Sequence, residues 1–148
     1  PNLFINRHGY SAWLSPCLFL FFKDDIMFVL EKQLEIAGSH SLKLPYKSKC
    51  RNKHGHNWKI TVVVEAEELN SNGMVVDFTH IKKIVNRLDH THLNNIFKRI
   101  NPTAENIAKW IADKINKYLQ SADTYIQVKY VSVQESEGNT ITYYPPTE

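Results

Sequence analysis

Residues 50–64 read CRNKHGHNWKITVVV, and this stretch decides the fold. Residues 58–64 are rich in β-branched and aromatic side chains, a composition that predicts a β-strand. Side chains alternate between the two faces of a strand, so His54 and His56 at its start project from the same face. The stretch therefore predicts a sheet that carries two imidazoles at one strand end, with the Cys50 thiol four residues before the first of them.

The pair of histidines predicts a metal site, although a lone histidine is more often a surface or satisfied core residue. Zinc suits these side chains, since it binds imidazole nitrogens readily and a catalytic zinc usually keeps three protein ligands and one open position. His40 is the candidate third ligand, because it follows a strand-like run at residues 27–36 and shares the parity of its apolar face. Pairing of the two strands as a hairpin would gather the three imidazoles on one face.

Cys50 has three possible roles: a further metal ligand, a small buried side chain, or a nucleophile or base. The spacing alone does not decide among them. The chain has one other cysteine, Cys17, so no disulfide framework is indicated. This cysteine usage suits a reducing compartment and predicts a cytoplasmic protein.

The composition is typical of one ordinary globular domain. The chain has 148 residues, of which 43% are hydrophobic and 22% charged, and this length can bury a sizeable core. A formal net charge of +3 without a dense block of Lys and Arg argues against a nucleic-acid partner. A small phosphorylated substrate suits the modest positive charge.

The first 26 residues differ from the rest of the chain. Their apolar stretch at residues 12–22 is shorter than the roughly 20 residues that span a bilayer, so no membrane association is expected. Charged residues at positions 23–25 stand where a signal peptide would carry small residues for cleavage. We predict an N-terminal extension at residues 1–26, outside the core, and a compact domain at residues 27–148.

The elements of that domain follow in the order β-β-α-α-β-β. Asp77 and Thr103 are the expected N-caps of two amphipathic helices. Two strands at about residues 126–136 and 140–144 close the chain. Hairpins at both ends with helices between them predict an α+β fold, in which an antiparallel sheet carries two helices on one face. Such a sheet has two open edges, and oligomerisation into a closed barrel is one way to cover them.

Two further features carry chemistry outside the histidine run. Asp89 directly precedes His90, and a carboxylate can orient and stabilise a neighbouring imidazole as an acid–base dyad. Glu135 lies on the apolar face of a predicted strand, where a carboxylate is costly unless it has a partner. It is either a surface residue or an acceptor of two hydrogen bonds from the guanidine-like edge of a ligand.

Six motifs in order resemble those of the 6-pyruvoyl-tetrahydropterin synthase / queuosine-pathway 6-carboxytetrahydropterin synthase family. The resemblance covers about residues 27–146, and it is specific because the motifs occur together. The motifs are His40, the run from Cys50 to His56, residues 73–78, residues 88–94, residues 101–106 and residues 133–135.

This resemblance implies both an architecture and a set of site residues. Members of the family adopt the T-fold and form trimeric barrels that stack into hexamers, with active sites between subunits. We therefore expect a homo-oligomer, a trimer or a hexamer, with zinc as its cofactor. The implied roles are zinc ligands for His40, His54 and His56, a proton-abstracting base for Cys50, an acid–base dyad for Asp89 and His90, and a pterin anchor for Glu135 with Thr103 and Glu105 in support.

The implied activity is that of a zinc-dependent carbon–carbon lyase. It would convert 7,8-dihydroneopterin triphosphate to 6-carboxy-5,6,7,8-tetrahydropterin with release of triphosphate and acetaldehyde, in queuosine (7-deazapurine) biosynthesis. The three residues between Cys50 and His54 resemble this bacterial branch. Ser39 resembles instead the pyruvoyl branch, which acts on the same substrate by triphosphate elimination. A non-catalytic zinc-binding module is a third possibility, but it has no use for the thiol, the dyad and the carboxylate together.

Overall fold

The computed structural model describes residues 27–120 and 125–146, in which one five-stranded sheet carries two α-helices. The predicted α+β class is confirmed, and the predicted extension at residues 1–26 lies outside the described residues. The strands are β1 (Phe28–His40), β2 (His54–Ala66), β3 (Thr91–His92), β4 (Ile126–Ser136) and β5 (Asn139–Tyr143). The helices are α1 (Phe78–Val85) and α2 (Ala104–Leu119), with short 3₁₀ helices at Lys49–Arg51 and Leu93–Asn95.

Strands β1 and β2 form the long central ladder on which the site is built. They pair antiparallel without interruption, from Phe28 opposite Ala66 to His40 opposite His54. Because the register is unbroken, the parity expected from the sequence holds to the end of both strands. One face of the sheet is apolar and forms a single core with the helices; its fully buried strand residues include Ile36, Trp58, Ile60, Val62, Val64, Val131 and Val133.

The sheet differs from the sequence prediction in one strand. β3 has two residues and pairs in parallel with the end of β1, Thr91 opposite Gly38 and His92 opposite Ser39. The strand order is β3-β1-β2-β4-β5, so the sheet is mixed and not purely antiparallel. A pairing this short leaves no periodic signal, which explains why the sequence predicts only four strands.

Both helices begin at their predicted caps. The Asp77 carboxylate accepts a hydrogen bond from the Thr79 amide at 2.7 Å. The Thr103 hydroxyl accepts one from the Asn106 amide at 3.4 Å. Each bond satisfies an amide that the first helical turn leaves unpaired. No helix in the described part of the chain is long and apolar enough to cross a membrane.

Two edges of the sheet have little or no strand cover from the residues that the structure describes. In the described ranges, β5 has no strand on its outer side, and β1 has only the two residues of β3 beyond it. Phe28 and Val29 at the start of β1 are 38% and 56% exposed. Open edges with apolar side chains need a cover. The condition behind the predicted barrel is therefore present in the fold, while the assembly itself stays a prediction.

Candidate metal centre and active site

Three histidines converge where β1 ends and β2 begins. His40 lies opposite His54 in the ladder, and His56 lies opposite Gly38. The ring centroids are 4.4 Å apart for His40 and His54, and 5.0 Å apart for His54 and His56. One ring nitrogen from each histidine lies within 4.8 Å of the other two. The structure thus brings together the three imidazoles that the sequence analysis names as metal ligands.

Backbone carbonyls orient two of the three rings. His40 Nδ1 donates to the Pro102 carbonyl at 2.7 Å. His54 Nδ1 donates to the Asn52 carbonyl at 2.8 Å. A proton on Nδ1 leaves the lone pair on Nε2, which is the usual arrangement in a histidine that binds a metal through Nε2.

The nitrogens on the inner side of the cluster lack partners. His40 Nε2 and His56 Nε2 are buried, and neither has a hydrogen bond within the described residues. A buried polar atom without a partner is costly. These two atoms therefore fit a ligand that the described residues do not supply, and a metal ion bound by three imidazoles would satisfy both.

The protonation state of His40 also suits a metal ligand. Its side chain is 0% exposed, and this burial lowers the pKa of His40 below its ordinary value. The hydrogen bond to Pro102 raises the pKa in opposition, but the net shift is downward. The ring is therefore neutral at neutral pH, which is the state that binds a metal ion.

The indole of Trp58 forms the floor of the cluster. Its centroid lies 5.0 Å from that of His40 and 5.2 Å from that of His56. Trp58 Nε1 donates to the Gly38 carbonyl at 3.1 Å, and a Cβ at Gly38 would lie 3.4 Å from the same nitrogen. The absence of a side chain at Gly38 therefore leaves room for the indole of Trp58. From the sequence, Trp58 is predicted only as a strand residue; its position two residues after His56, on the same face of β2, is the signal for this contact.

Glu135 reaches the cluster from β4. Its Oε1 lies 3.5 Å from His40 Nε2 and 3.9 Å from His56 Nε2. Both distances exceed those of a good hydrogen bond, so the carboxylate lies beside the cluster without bonding to it. The register with β5 shifts between Gln134 and Ser136, and such a bulge re-aims a side chain. The carboxylate is 32% exposed and open to a further partner.

Cys50 lies in the 3₁₀ helix before β2 and is half-buried. Its amide donates to the Ser48 hydroxyl at 3.1 Å, and its carbonyl accepts from the Leu42 amide at 2.8 Å. The backbone of Cys50 is thus held on both sides. Within residues 27–120 and 125–146, the group of nitrogens close enough to share a metal ion does not include the thiol. The geometry therefore argues against a ligand role for Cys50.

Asp89 and His90 form the predicted pair, but they stand apart from the cluster. Asp89 Oδ1 lies 3.0 Å from His90 Nδ1 and accepts from the Ala37 amide at 2.9 Å. The Ala37 amide holds the pKa of Asp89 below its ordinary value, so the carboxylate is charged at neutral pH. The His90 side chain is 82% exposed. No hydrogen bond or ion pair between described residues joins its imidazole to the three-histidine cluster.

Thr103 and Glu105 lie at the start of α2, next to the Pro102 carbonyl that holds His40. The Thr103 hydroxyl caps the helix, and Glu105 is exposed in its first turn. Among the residues that the structure describes, neither has a hydrogen bond or ion pair with Glu135. The three predicted substrate-binding residues therefore approach His40 from two elements, Glu135 from β4 and Thr103 with Glu105 from the start of α2.

The segment that carries the three histidines is basic. Residues 36–64 contain six Lys or Arg side chains and no Asp or Glu. A cavity of about 240 Å³ beside this segment is lined by Lys43, Lys98 and Arg99 and by no acidic residue. None of these three cations has an ion pair with a described acidic residue. Unpaired cations around a cavity favour an anionic ligand.

Comparison with known proteins links this site to pterin enzymes. A family model described as 6-pyruvoyl tetrahydropterin synthase matches residues 29–146. The chain is 30% identical over 125 residues to the 6-carboxy-5,6,7,8-tetrahydropterin synthase of Bacillus subtilis, which covers 80% of this chain and 86% of the relative. It is 41% identical over 106 residues to the dihydroneopterin monophosphate aldolase of Pyrococcus furiosus, which covers 69% of this chain and 82% of the relative.

A solved structure carries the same fold. The 6-pyruvoyl tetrahydropterin synthase of Caenorhabditis elegans matches with a TM-score of 0.64 and 25% identity, over 81% of this chain and 96% of that one. The predicted T-fold architecture of the single chain is confirmed by this match.

Proposed function

This chain belongs to the 6-pyruvoyl tetrahydropterin synthase family, and we propose that it is a zinc-dependent 6-carboxytetrahydropterin synthase. The proposed reaction converts 7,8-dihydroneopterin triphosphate and one water to 6-carboxy-5,6,7,8-tetrahydropterin, triphosphate and acetaldehyde. The match to the Bacillus subtilis enzyme of that name supports this branch. The alternative is the pyruvoyl branch, which the description of the family model and the Caenorhabditis elegans structure support.

One observation carries the proposal. Three imidazoles offer nitrogens within 4.8 Å of one another, and two of these rings have a buried Nε2 that no described residue hydrogen-bonds. His40, His54 and His56 would hold the zinc ion. When bound there, zinc would supply a Lewis acid that polarises oxygens of the substrate side chain. The remaining steps fall to the side chains of the protein.

Cys50 is the proposed base that removes a carbon-bound proton from the substrate. A thiol is suited to this task when it is held in place and not bound to the metal. Its backbone is held by Ser48 and Leu42, and it lies four residues before His54. This placement supports a base at the edge of the cluster.

The Asp89–His90 dyad is the proposed carrier of the second proton. The charged carboxylate of Asp89 orients the His90 ring and stabilises its protonated form. The ring is exposed on the single chain and is not bonded to the cluster of the same chain. We therefore propose that it serves the site of a neighbouring subunit in a homotrimer or homohexamer.

Glu135 is the proposed anchor of the pterin ring. A carboxylate can accept two parallel charge-assisted hydrogen bonds from the 2-amino group and a ring N–H. Its position 3.5 Å from His40 Nε2 would place the pterin directly beside the metal site. Thr103 and Glu105 are proposed to support the ring from the start of α2.

The basic surroundings support a polyphosphate substrate. The acid-free segment at residues 36–64 and the cavity lined by Lys43, Lys98 and Arg99 suit a multiply charged leaving group. A role in queuosine biosynthesis follows from the proposed product, and a cytoplasmic location is proposed from the cysteine usage.

Product analysis tests the proposal. Zinc-loaded protein is incubated with 7,8-dihydroneopterin triphosphate, and pterins, triphosphate and acetaldehyde are measured. Acetaldehyde in equal amount to 6-carboxytetrahydropterin is the expected result. Triphosphate release without acetaldehyde would instead assign the chain to the pyruvoyl branch. No turnover of this substrate would leave only a zinc-binding module and would contradict the enzymatic proposal.

A further inference from the structure

Two asparagine side chains bond to the backbone of the segment that directly follows β1, as a neighbouring strand would. β2 begins only opposite His40, so the residues after His40 pair with no strand in the described part of the chain. Asn94 Oδ1 accepts from the Ser41 amide at 2.9 Å, and Asn94 Nδ2 donates to the Ser41 carbonyl at 2.8 Å. Asn101 makes the same two bonds with Lys43, at 2.7 and 2.9 Å.

These bonds follow the pattern of an antiparallel strand pair. Ser41 and Lys43 are two residues apart, and each bonds to one side through both its amide and its carbonyl, as alternate residues of a ladder do. Leu42 lies between them, and its amide donates to the Cys50 carbonyl at 2.8 Å. Segment 41–43 is therefore held by two carboxamides and in turn holds the backbone of Cys50.

The stretch that carries Asn101 also supports the metal site. The Asn101 carbonyl accepts from Asn106 Nδ2 at 2.9 Å and from the Thr103 amide at 2.9 Å, which ties it to the start of α2. The next residue, Pro102, accepts the hydrogen bond of His40 Nδ1 at 2.7 Å. The same short stretch of backbone thus orients one imidazole of the cluster and braces the segment that holds Cys50.

We propose that Asn94 and Asn101 are positioning residues that set the place of Cys50 relative to the three-histidine cluster. This inference rests on the proposed function, because it takes Cys50 as the base. A misplacement of about 1 Å can cost about 100-fold in rate. The loss of one carboxamide therefore reduces turnover even where the fold and the metal are retained.

Asn116 offers a matched control. Its Oδ1 accepts from the Val128 amide at 2.8 Å and so joins α2 to β4. This single side-chain to backbone bond is part-buried, as the two bonds of Asn94 are, whereas those of Asn101 are exposed. No hydrogen bond connects Asn116 to segment 41–43 within the described residues. Asn116→Ala therefore removes a comparable bond without touching the support of Cys50.

The test compares Asn94→Ala, Asn101→Ala and Asn116→Ala in the zinc-loaded full-length protein. The first two should lower kcat by about 10- to 100-fold. Asn94→Ala, which does not adjoin Pro102, should leave the zinc content close to wild type. Asn116→Ala should keep its kcat within about twofold of wild type, even where its melting temperature falls as far as that of Asn94→Ala.

A second readout needs no turnover. The protein is treated with iodoacetamide, and peptide mass spectrometry follows alkylation of Cys50 separately from that of Cys17. The modification rate at Cys50 should change several-fold in Asn94→Ala and Asn101→Ala and stay at the wild-type value in Asn116→Ala. An unchanged rate at Cys50 overturns the proposal, because the thiol has then not moved, and so does an equal loss of kcat in the control.

Failure to fold also has a definite meaning. If Asn94→Ala and Asn101→Ala both unfold at the assay temperature while Asn116→Ala folds, the two asparagines are structural residues and the positioning role is wrong. A wild-type protein that does not turn over the pterin substrate contradicts the proposed function instead. The alkylation rates then decide the placement of Cys50 on their own.

Discussion

Cys50 stands next to the histidine cluster in sequence but outside it in space. Substitution Cys50→Ala should keep zinc at the wild-type amount per chain, because the three nitrogens that converge belong to histidines. It should lower kcat by about 10²- to 10⁴-fold, the contribution of a general base. Metal analysis and steady-state kinetics measure the two quantities. Cys17→Ala, outside the matched residues 29–146, is the control. A parallel fall of zinc and kcat would make Cys50 a ligand.

Substitution of Glu135 should weaken binding of the pterin without changing the zinc content. Glu135→Gln keeps the shape of the side chain, but it replaces one acceptor oxygen with an NH₂ group. This donor would then face a donor of the pterin ring. Binding of a pterin analogue should weaken by at least about tenfold, with the zinc content unchanged. Calorimetry on the zinc-loaded protein measures this, and Glu137→Gln, exposed in the adjacent turn, is the control. Equal affinity in the mutant would show that Glu135 is not the anchor.

At the scale of elements, the turn into β3 holds His90 in a left-handed conformation with φ 52°. This conformation costs a non-glycine residue roughly 1–2 kcal/mol and costs glycine nothing in steric terms. His90→Gly should therefore leave the melting temperature equal to or above that of wild type, while activity falls by about 10²-fold or more. Retained activity would contradict the dyad. His92→Gln, which replaces the histidine at the end of β3, should stay active.

The elements also show which signals the sequence carries. Asp77, Thr103 and the bounds of β4 are predictable because caps and alternation are local patterns. The convergence of three histidines is predictable because strand parity extends to the strand ends. The hydrogen bonds from Asn94 to Ser41 and from Asn101 to Lys43 are not predictable from the sequence, because they join residues 53 and 58 positions apart. The bulge that aims Glu135 likewise depends on pairing with β5.

At the scale of the whole molecule, the proposed site is divided between subunits. The three histidines of the cluster belong to one chain. The His90 ring of the same chain is exposed, and no hydrogen bond among the described residues joins it to the cluster. Cys50→Ala and His90→Gly should each be inactive alone, but co-expressed chains should recover about a quarter of wild-type activity, because random pairing joins one intact half from each variant. Light scattering on the same sample gives the assembly size. No recovery in a mixed oligomer would place both groups in the same chain.

The central claim is that the three-histidine cluster is a zinc site on which the activity depends. Metal analysis of the wild type, of His56→Ala and of the double variant His54→Ala/His56→Ala, together with their turnover, tests it most directly. We expect about one zinc ion per chain in the wild type, and loss of both zinc and activity in the variants, because His56→Ala keeps two of the three ligands and the double variant keeps one. Full zinc occupancy in the double variant, or turnover without the metal, would contradict the claim.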